Sequence, residues 1–211
     1  VLTGLIRDIA VSRPGEFEID VLANAGAVFQ HNPYLTPLKT VKRTNVEYLP
    51  ISYGKGLKEQ RHETIHFVNY FHRDFFKKTG VQIPLTRPYP DLHLSPEEKT
   101  TSLIDGRYWV IVAGWKNDVP LKLWHYQAWT ETVLRLQQHG IRCVQIGSLS
   151  KDCRNPSIAG TLNLVGRTNL RDMMRLIYHA DGVICGITCA MHMAAALQRP
   201  CVVLGGGREA Y

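Results

Sequence analysis

The stretch 181–207, D-G-V-I-C-G-I-T-C-A-M-H-M-A-A-A-L-Q-R-P-C-V-V-L-G-G-G, constrains the fold more than any other part of the chain. Residues 182–185 are a short apolar run of the kind a parallel sheet buries on both faces. Gly186 breaks that run where a strand-to-helix turn needs free backbone angles. Thr188 is a natural N-cap for a helix over 189–197, which is rich in Ala, Met and Leu. Pro200 ends the helix, and 201–204 reads as the next strand. In a strand, turn, helix, strand unit the helix N-terminus opens on the carboxyl edge of the sheet. Free N–H groups and the helix dipole favour an anion such as a phosphate there.

The same grammar extends upstream. Residues 108–113 (Y-W-V-I-V-A) predict a buried strand, and Tyr126, Trp129, Val133 and Leu136 recur at helical spacing before His139-Gly140 ends the helix. Residues 141–147 predict another strand. Leu170, Met173, Met174 and Ile177 mark a further helix, with Thr168 or Asn169 as its cap. Alternating strands and helices of this kind make a parallel, doubly wound α/β domain. In the first half, 1–13 predicts an amphipathic helix, 16–23 a strand, 25–34 a short helix, 46–51 a strand and 62–78 a helix with an aromatic face. Pro84, Pro88, Pro90 and Pro96 argue against regular structure over 80–105. The expected organisation is a domain over 1–95, a linker over 96–105 and a second domain over 106–211.

Charge separates the halves. Residues 106–211 hold twelve Lys and Arg against six Asp and Glu, and so carry most of the +7 net charge. A positive field there suits an anionic ligand. The arginines are scattered rather than interleaved with aromatics, which argues against nucleic acid. Lys39, Lys42, Arg43, Lys55, Lys58 and Arg61 read either as a solvated loop or as a basic lip facing an acidic acceptor or a membrane surface. No run of about 18 apolar residues spans a bilayer. Five cysteines, at 143, 153, 185, 189 and 201, favour reduced thiols in a cytosolic protein. Cys185, Cys189 and His192 lack a C-x-x-C companion, so packed thiols are favoured over a metal site and no metal is expected. The opening V-L-T-G-L-I-R-D-I lacks an initiator Met and reads as the middle of a domain.

Three ordered pieces resemble glycosyltransferase family 9, the ADP-heptose lipopolysaccharide heptosyltransferases. They are Lys122-Leu123-Trp124, then Leu164-Val165-Gly166-Arg167-Thr168-Asn169-Leu170, then Met191-His192 followed by Ala194-Ala195-Ala196-Leu197 and Pro200. The resemblance implies a GT-B-like architecture, two Rossmann-like domains facing across a cleft, with the donor on the C-terminal domain and the acceptor on the N-terminal one. It implies a transferase moving a sugar from a nucleotide-diphosphate donor such as ADP-heptose to a saccharide or glycolipid acceptor of the cell envelope. No cofactor or metal is needed, and the expected location is cytoplasmic, at the inner face of the membrane. The donor-binding residues implied are Lys122, Gly166, Thr168, Thr188, Cys189, Ala190, Met191 and His192. His192 is placed equally as a phosphate contact or a packing residue. The family's catalytic Asp is expected upstream of Val1, so no base is named, and Ile187 and Cys189 stand where the family usually has Asp and Gly. The alternative is a non-catalytic nucleotide-binding or assembly module with a degenerate site.

Overall fold

The computed structural model describes residues 1–38, 46–51, 66–117 and 124–205. The chain divides into two units, Val1–His93 and Leu94–Tyr211.

In the first unit, helix α1 (Leu2–Ser12) and helix α2 (Phe67–Thr79) carry the core, and among the described residues between them a 3-10 turn forms at Gly26–Phe29. Leu5 and Ile9 of α1 pack with Tyr70, Phe71 and Phe75 of α2 and with Ile83. Gly80 ends α2 in the left-handed region at φ 72°, where a side chain would be strained. The strands expected over 16–23 and 46–51 are corrected to irregular backbone, and no strand forms among the described residues of this unit. Alternation at Phe17, Ile19 and Val21 is not enough without a ladder partner, and among the described residues the one backbone hydrogen bond joining this segment to a distant residue runs from Thr36 N–H to the Ile19 carbonyl at 2.8 Å.

Beneath that core lies a buried polar network. Arg7 and Asp8, 2% and 0% exposed, sit in an otherwise apolar helix. Arg7 Nε donates to Asp8 Oδ1 at 2.9 Å, its Nη1 to the Tyr89 carbonyl and to Asp91 Oδ1, and its Nη2 to the Arg87 carbonyl. His72 Nε2 lies 2.8 Å from Asp8 Oδ2, and the Thr86 hydroxyl donates to Asp8 Oδ1. Burial alone would lower the Arg7 pKa, but the bonds to Asp8 and Asp91 raise it. The network fastens the proline-rich segment around residues 86–91 to α1.

The second unit is the doubly wound domain expected. Strands β1 (Trp109–Val112), β3 (Cys143–Gln145), β5 (Leu162–Asn163), β6 (Gly182–Gly186) and β7 (Cys201–Leu204) form one parallel sheet in the order β5-β3-β1-β6-β7. A short antiparallel pair, β2 (Trp115–Lys116) and β4 (Cys153–Arg154), joins the segments that follow β1 and β3. Helix α4 (Tyr126–Gln138) buries Trp129 and Val133 against Ile111, Cys143 and Ile184. Helix α5 (Leu170–His179) lies on the other side, where the Tyr108 hydroxyl donates to its Leu176 carbonyl at 2.9 Å. Helix α6 (Cys189–Ala196) packs against α5, β6 and β7.

Residues 96–105 do not form an irregular linker. Pro96 occupies the first turn of helix α3 (Pro96–Thr100), where a missing N–H costs nothing, and Ser95 and Glu98 make a reciprocal capping box. Glu98 also takes both Arg171 Nε and Nη2, and its carbonyl lies 2.8 Å from His179 Nε2. These bonds fix the segment to α5, inside the second unit. The prolines signalled a boundary, but one of them is a helix start.

Candidate functional site

Strand order decides where a ligand can enter. From β1 the chain moves outward to β3 and β5, then returns to the opposite side of β1 with β6 and continues to β7. Helix α4, which follows β1, and helix α6, which follows β6, therefore leave adjacent strands toward opposite faces. Between the carboxyl ends of β1 and β6 this opens the crevice in which doubly wound sheets bind ligands.

The residues at that crevice come from the loop between β6 and α6. Thr188 caps α6 with extended backbone, φ −136° and ψ −179°, yet its side chain makes no capping hydrogen bond. Its hydroxyl oxygen is buried and has no hydrogen bond of ordinary geometry. A weaker hydrogen bond between its side chain and the Cys185 thiol opposes part of that thiol's upward shift. Beyond the cap, the N–H groups of Cys189, Ala190 and Met191 start the helix without intrahelical acceptors. Two of them turn to the nearest sulfur. The Cys189 thiol is pushed up by desolvation, while the amides of Ala190 and of Cys189 itself pull it down. Ala190 and Ala194 are fully buried and let α6 lie close on the sheet. Met191 and His192 are half-buried in the first turn, and His192, four residues after Thr188, shares its side of the helix.

The other candidates follow β5. Gly166 adopts φ 72°, donates its N–H to the Gly147 carbonyl at 2.9 Å, and has no room for a side chain, since a Cβ would overlap Leu149. Thr168 is half-buried just before α5. The cap of α5 is Asn169, whose side chain accepts from Asp172 N–H in a capping box, which settles the choice between 168 and 169. Gly166 and Thr168 thus share the carboxyl edge with Thr188 but follow a strand three places from β6, about 14 Å away at 4.8 Å per strand. Lys122 and Leu123 lie outside the described residues. Trp124, just after them, is held edge-on to the buried Trp129 with ring centroids 5.1 Å apart.

Two residues that sequence reading passed over also reach this edge. Asn155 lies across the ends of β1 and β3. A Cβ on Gly114 or Gly147 would overlap its amide, and its Nδ2 donates to the Ser148 carbonyl at 2.7 Å. Two glycines, each just beyond a strand, were the signal for that close approach. Lys116, on β2 and in register with Cys153, lowers the Cys189 thiol through its charge, so its field falls on the start of α6. A lysine soon after the first strand carried no motif to mark it.

Elsewhere, a depression of about 340 Å³ in the first unit is lined by Asp20, Phe29, His31, Asn32 and their neighbours. Asp20 spends its carboxylate on the N–H groups of Val21 and Leu38. No group of three or more His, Cys, Asp and Glu able to hold a metal occurs among the described residues, and no helix among them is long and apolar enough to cross a membrane.

The sequence model of glycosyltransferase family 9 (heptosyltransferase) matches residues 42–207. The chain belongs to glycosyltransferase family 9. Within that family it is 26% identical over 152 residues to lipooligosaccharide heptosyltransferase 2 of Haemophilus influenzae (strain ATCC 51907 / DSM 11121 / KW20 / Rd), an alignment covering 64% of this chain and 44% of that protein. The chain spans less than half the length of that curated relative. The structure of ADP-heptose lipopolysaccharide heptosyltransferase II from Escherichia coli superposes with a TM-score of 0.66 at 20% identity, covering 95% of this chain and 79% of the other. The E. coli heptosyltransferase WaaC with ADP-2-deoxy-2-fluoro heptose gives 0.52 at 22% identity, covering 71% and 48%. The family 9 chain thus has an α/β, GT-B-like fold, and its second unit is the doubly wound domain that its motifs implied.

Proposed function

We propose that this family 9 chain serves a glycosyltransferase that moves a sugar from a nucleotide-diphosphate donor, ADP-heptose being the leading candidate, to a saccharide acceptor of lipopolysaccharide. The observation that carries the reading is the start of α6. Backbone N–H groups without intrahelical acceptors and a buried Thr188 hydroxyl that makes no capping bond stand at the β1–β6 switch point. Family membership and a relative whose structure holds an ADP-heptose analogue support it.

The chemistry follows from charge. As the glycosidic bond to the donor breaks, negative charge grows on the leaving diphosphate, and fixed donors aimed at it lower the barrier. The Cys189 and Ala190 N–H groups supply fixed dipoles, Thr188 a hydroxyl, and Lys122 and Lys116 positive charge. Met191 and His192 line the first turn, His192 within reach of the same phosphates. Gly166 and Thr168, farther along the edge, serve the nucleoside end. No metal or cofactor enters this scheme. The base that takes the acceptor's proton is not Asp8, whose carboxylate is fully buried and engaged by Arg7, His72 and Thr86. The proposed location is the cytoplasm, at the inner membrane face where a glycolipid acceptor is met.

Calorimetric titration with ADP, GDP, UDP and ADP-heptose tests the reading, repeated on Lys122→Ala and Thr188→Val. Saturable binding of one diphosphate, weakened about tenfold or more by Lys122→Ala through loss of a charge-assisted contact, is expected. Absence of binding by all four would sink it. Ile187 favours a second reading, because an apolar residue directly precedes the Thr188 cap where the family pattern has an acid. A non-catalytic nucleotide module would stay inactive with every donor after Ile187→Asp, whereas an enzyme would change its donor preference.

A further inference from the structure

Two thiols meet directly behind the loop that starts α6. The Sγ atoms of Cys185 on β6 and Cys201 on β7 lie 3.8 Å apart. Strand register explains the meeting, with Val183 opposite Cys201 and Cys185 opposite Val203. Residues two apart on a strand share a face, so the two cysteines project from the same side of the sheet as diagonal neighbours. Neither is in a disulfide. Cys185 is fully buried, and Cys201 is half-buried on the edge strand.

The two sulfurs are not equivalent. The two thiols share a hydrogen bond in which either can donate, and that bond together with burial pushes the Cys185 thiol up. The same bond pulls the Cys201 thiol below its ordinary value, against the opposing effect of burial. Access lies at Cys201, on the edge strand, with the buried Cys185 sulfur in reach behind it.

We propose that Cys185 and Cys201 form a reversible oxidation site that closes to a disulfide between β6 and β7 when the protein meets a hydroperoxide. The Cys201 thiolate attacks one peroxide oxygen, the O–O bond breaks, and the departing oxygen takes a proton. Cys201 is left as a sulfenic acid. The Cys185 sulfur then attacks that sulfur and loses its proton, the S–O bond breaks, and water leaves. Two electrons pass from the sulfur pair to the peroxide, so two thiols and one hydrogen peroxide give one disulfide and two waters.

Closure from 3.8 Å to bonding distance between diagonal neighbours requires β7 to shift toward β6. Among the described residues β7 pairs only with β6, and its Val202 and Val203 are 48% and 38% exposed. An edge strand held on one side shifts at less cost than a central one. Cys185 lies three residues before Thr188, so closure pulls on the cap of α6. Weaker ADP binding after oxidation follows, a consequence that rests on the donor-site reading.

The test treats the reduced protein with stoichiometric hydrogen peroxide, blocks remaining thiols with N-ethylmaleimide, and maps peptides by mass spectrometry without reduction. A Cys185–Cys201 cross-linked peptide, two hydrogens lighter and reopened by dithiothreitol, is expected. In Cys185→Ala, dimedone should label Cys201, and Cys201→Ser provides a second variant at the more exposed position that loses the cross-link. Recovery of both cysteines as maleimide adducts, with oxidation confined to the exposed Cys189, would overturn the proposal. ADP titration of the reduced and cross-linked forms adds a separate arm. An affinity loss of tenfold or more, restored by dithiothreitol, supports the coupling, and unchanged affinity overturns it. A reduced protein that does not bind ADP counts against the donor reading alone, because the cross-link is read by mass.

Discussion

The two units use buried polar groups in opposite ways. In the first, Arg7, Asp8, His72, Thr86 and Asp91 satisfy one another, and a fully buried charge pair is retained because each member is held by several bonds. In the second, Gln145 is the buried polar side chain of the sheet and is engaged by Pro156, Ile158 and Thr161, whereas at the carboxyl edge Thr188 caps α6 without a capping bond and the first amides of α6 have no intrahelical acceptors. A satisfied network builds structure and has nothing left to offer a ligand. The edge keeps its capacity, and that contrast, more than the presence of acids or histidines, locates the site.

Breaking the network should produce the largest effect. Asp8→Ala leaves Arg7 and His72 facing a missing carboxylate in a dry interior, a change that costs about 3–5 kcal/mol. All four tryptophans lie between residues 109 and 129, so tryptophan fluorescence reports the second unit and far-ultraviolet circular dichroism reports both. In denaturant the dichroism transition should move to much lower concentration while the fluorescence midpoint moves little. A loss below 1 kcal/mol would show that the network is not the keystone of the first unit.

A smaller effect is expected at the edge itself. Gly147→Ala must displace the Asn155 amide, and overpacking of this sort costs about 1–3 kcal/mol. Asn155→Ala in the same chain should recover most of that loss, giving a coupling of at least about 0.5 kcal/mol in a double-mutant cycle. Additive effects would mean that Asn155 does not occupy the glycine notch.

Much of the second unit was legible in the sequence because its rules are local. The apolar run Val183–Ile184–Cys185, the break at Gly186, the Thr188 cap and Pro200 each act within a few residues, and the strand and helix formed where those signals stood. The first unit was read less well. Alternation at Phe17, Ile19 and Val21 reports a preference, whereas a strand is a pairing with something distant in sequence. Arg7 and Asp8 were hidden for the same reason, since their partners stand some 64 to 84 residues away. Asn155 and Lys116 reach the candidate site only through the β2–β4 pairing, which two-residue strands cannot announce. Pro96 was misread because proline interrupts a helix everywhere except its first turn.

The smallest expected change in stability is also the most informative, and it compares two caps within one unit. Asn169 bonds to Asp172 N–H and starts α5 with a complete capping box, so Asn169→Ala should cost about 1 kcal/mol. Thr188 occupies the equivalent position on α6 but makes no such bond, so Thr188→Ala should cost less than about 0.5 kcal/mol, below the usual range for a cap. Denaturation midpoints of the two variants, measured beside ADP titrations, separate the roles. The Asn169 variant should lose stability and keep its affinity at saturating folded fraction, and the Thr188 variant should do the reverse. If Thr188→Ala costs as much as Asn169→Ala and leaves ADP affinity intact, the hydroxyl is a structural cap after all. The anion site would then reduce to the backbone amides and the lysines, and the contrast between the satisfied interior and the open edge would lose its side-chain half.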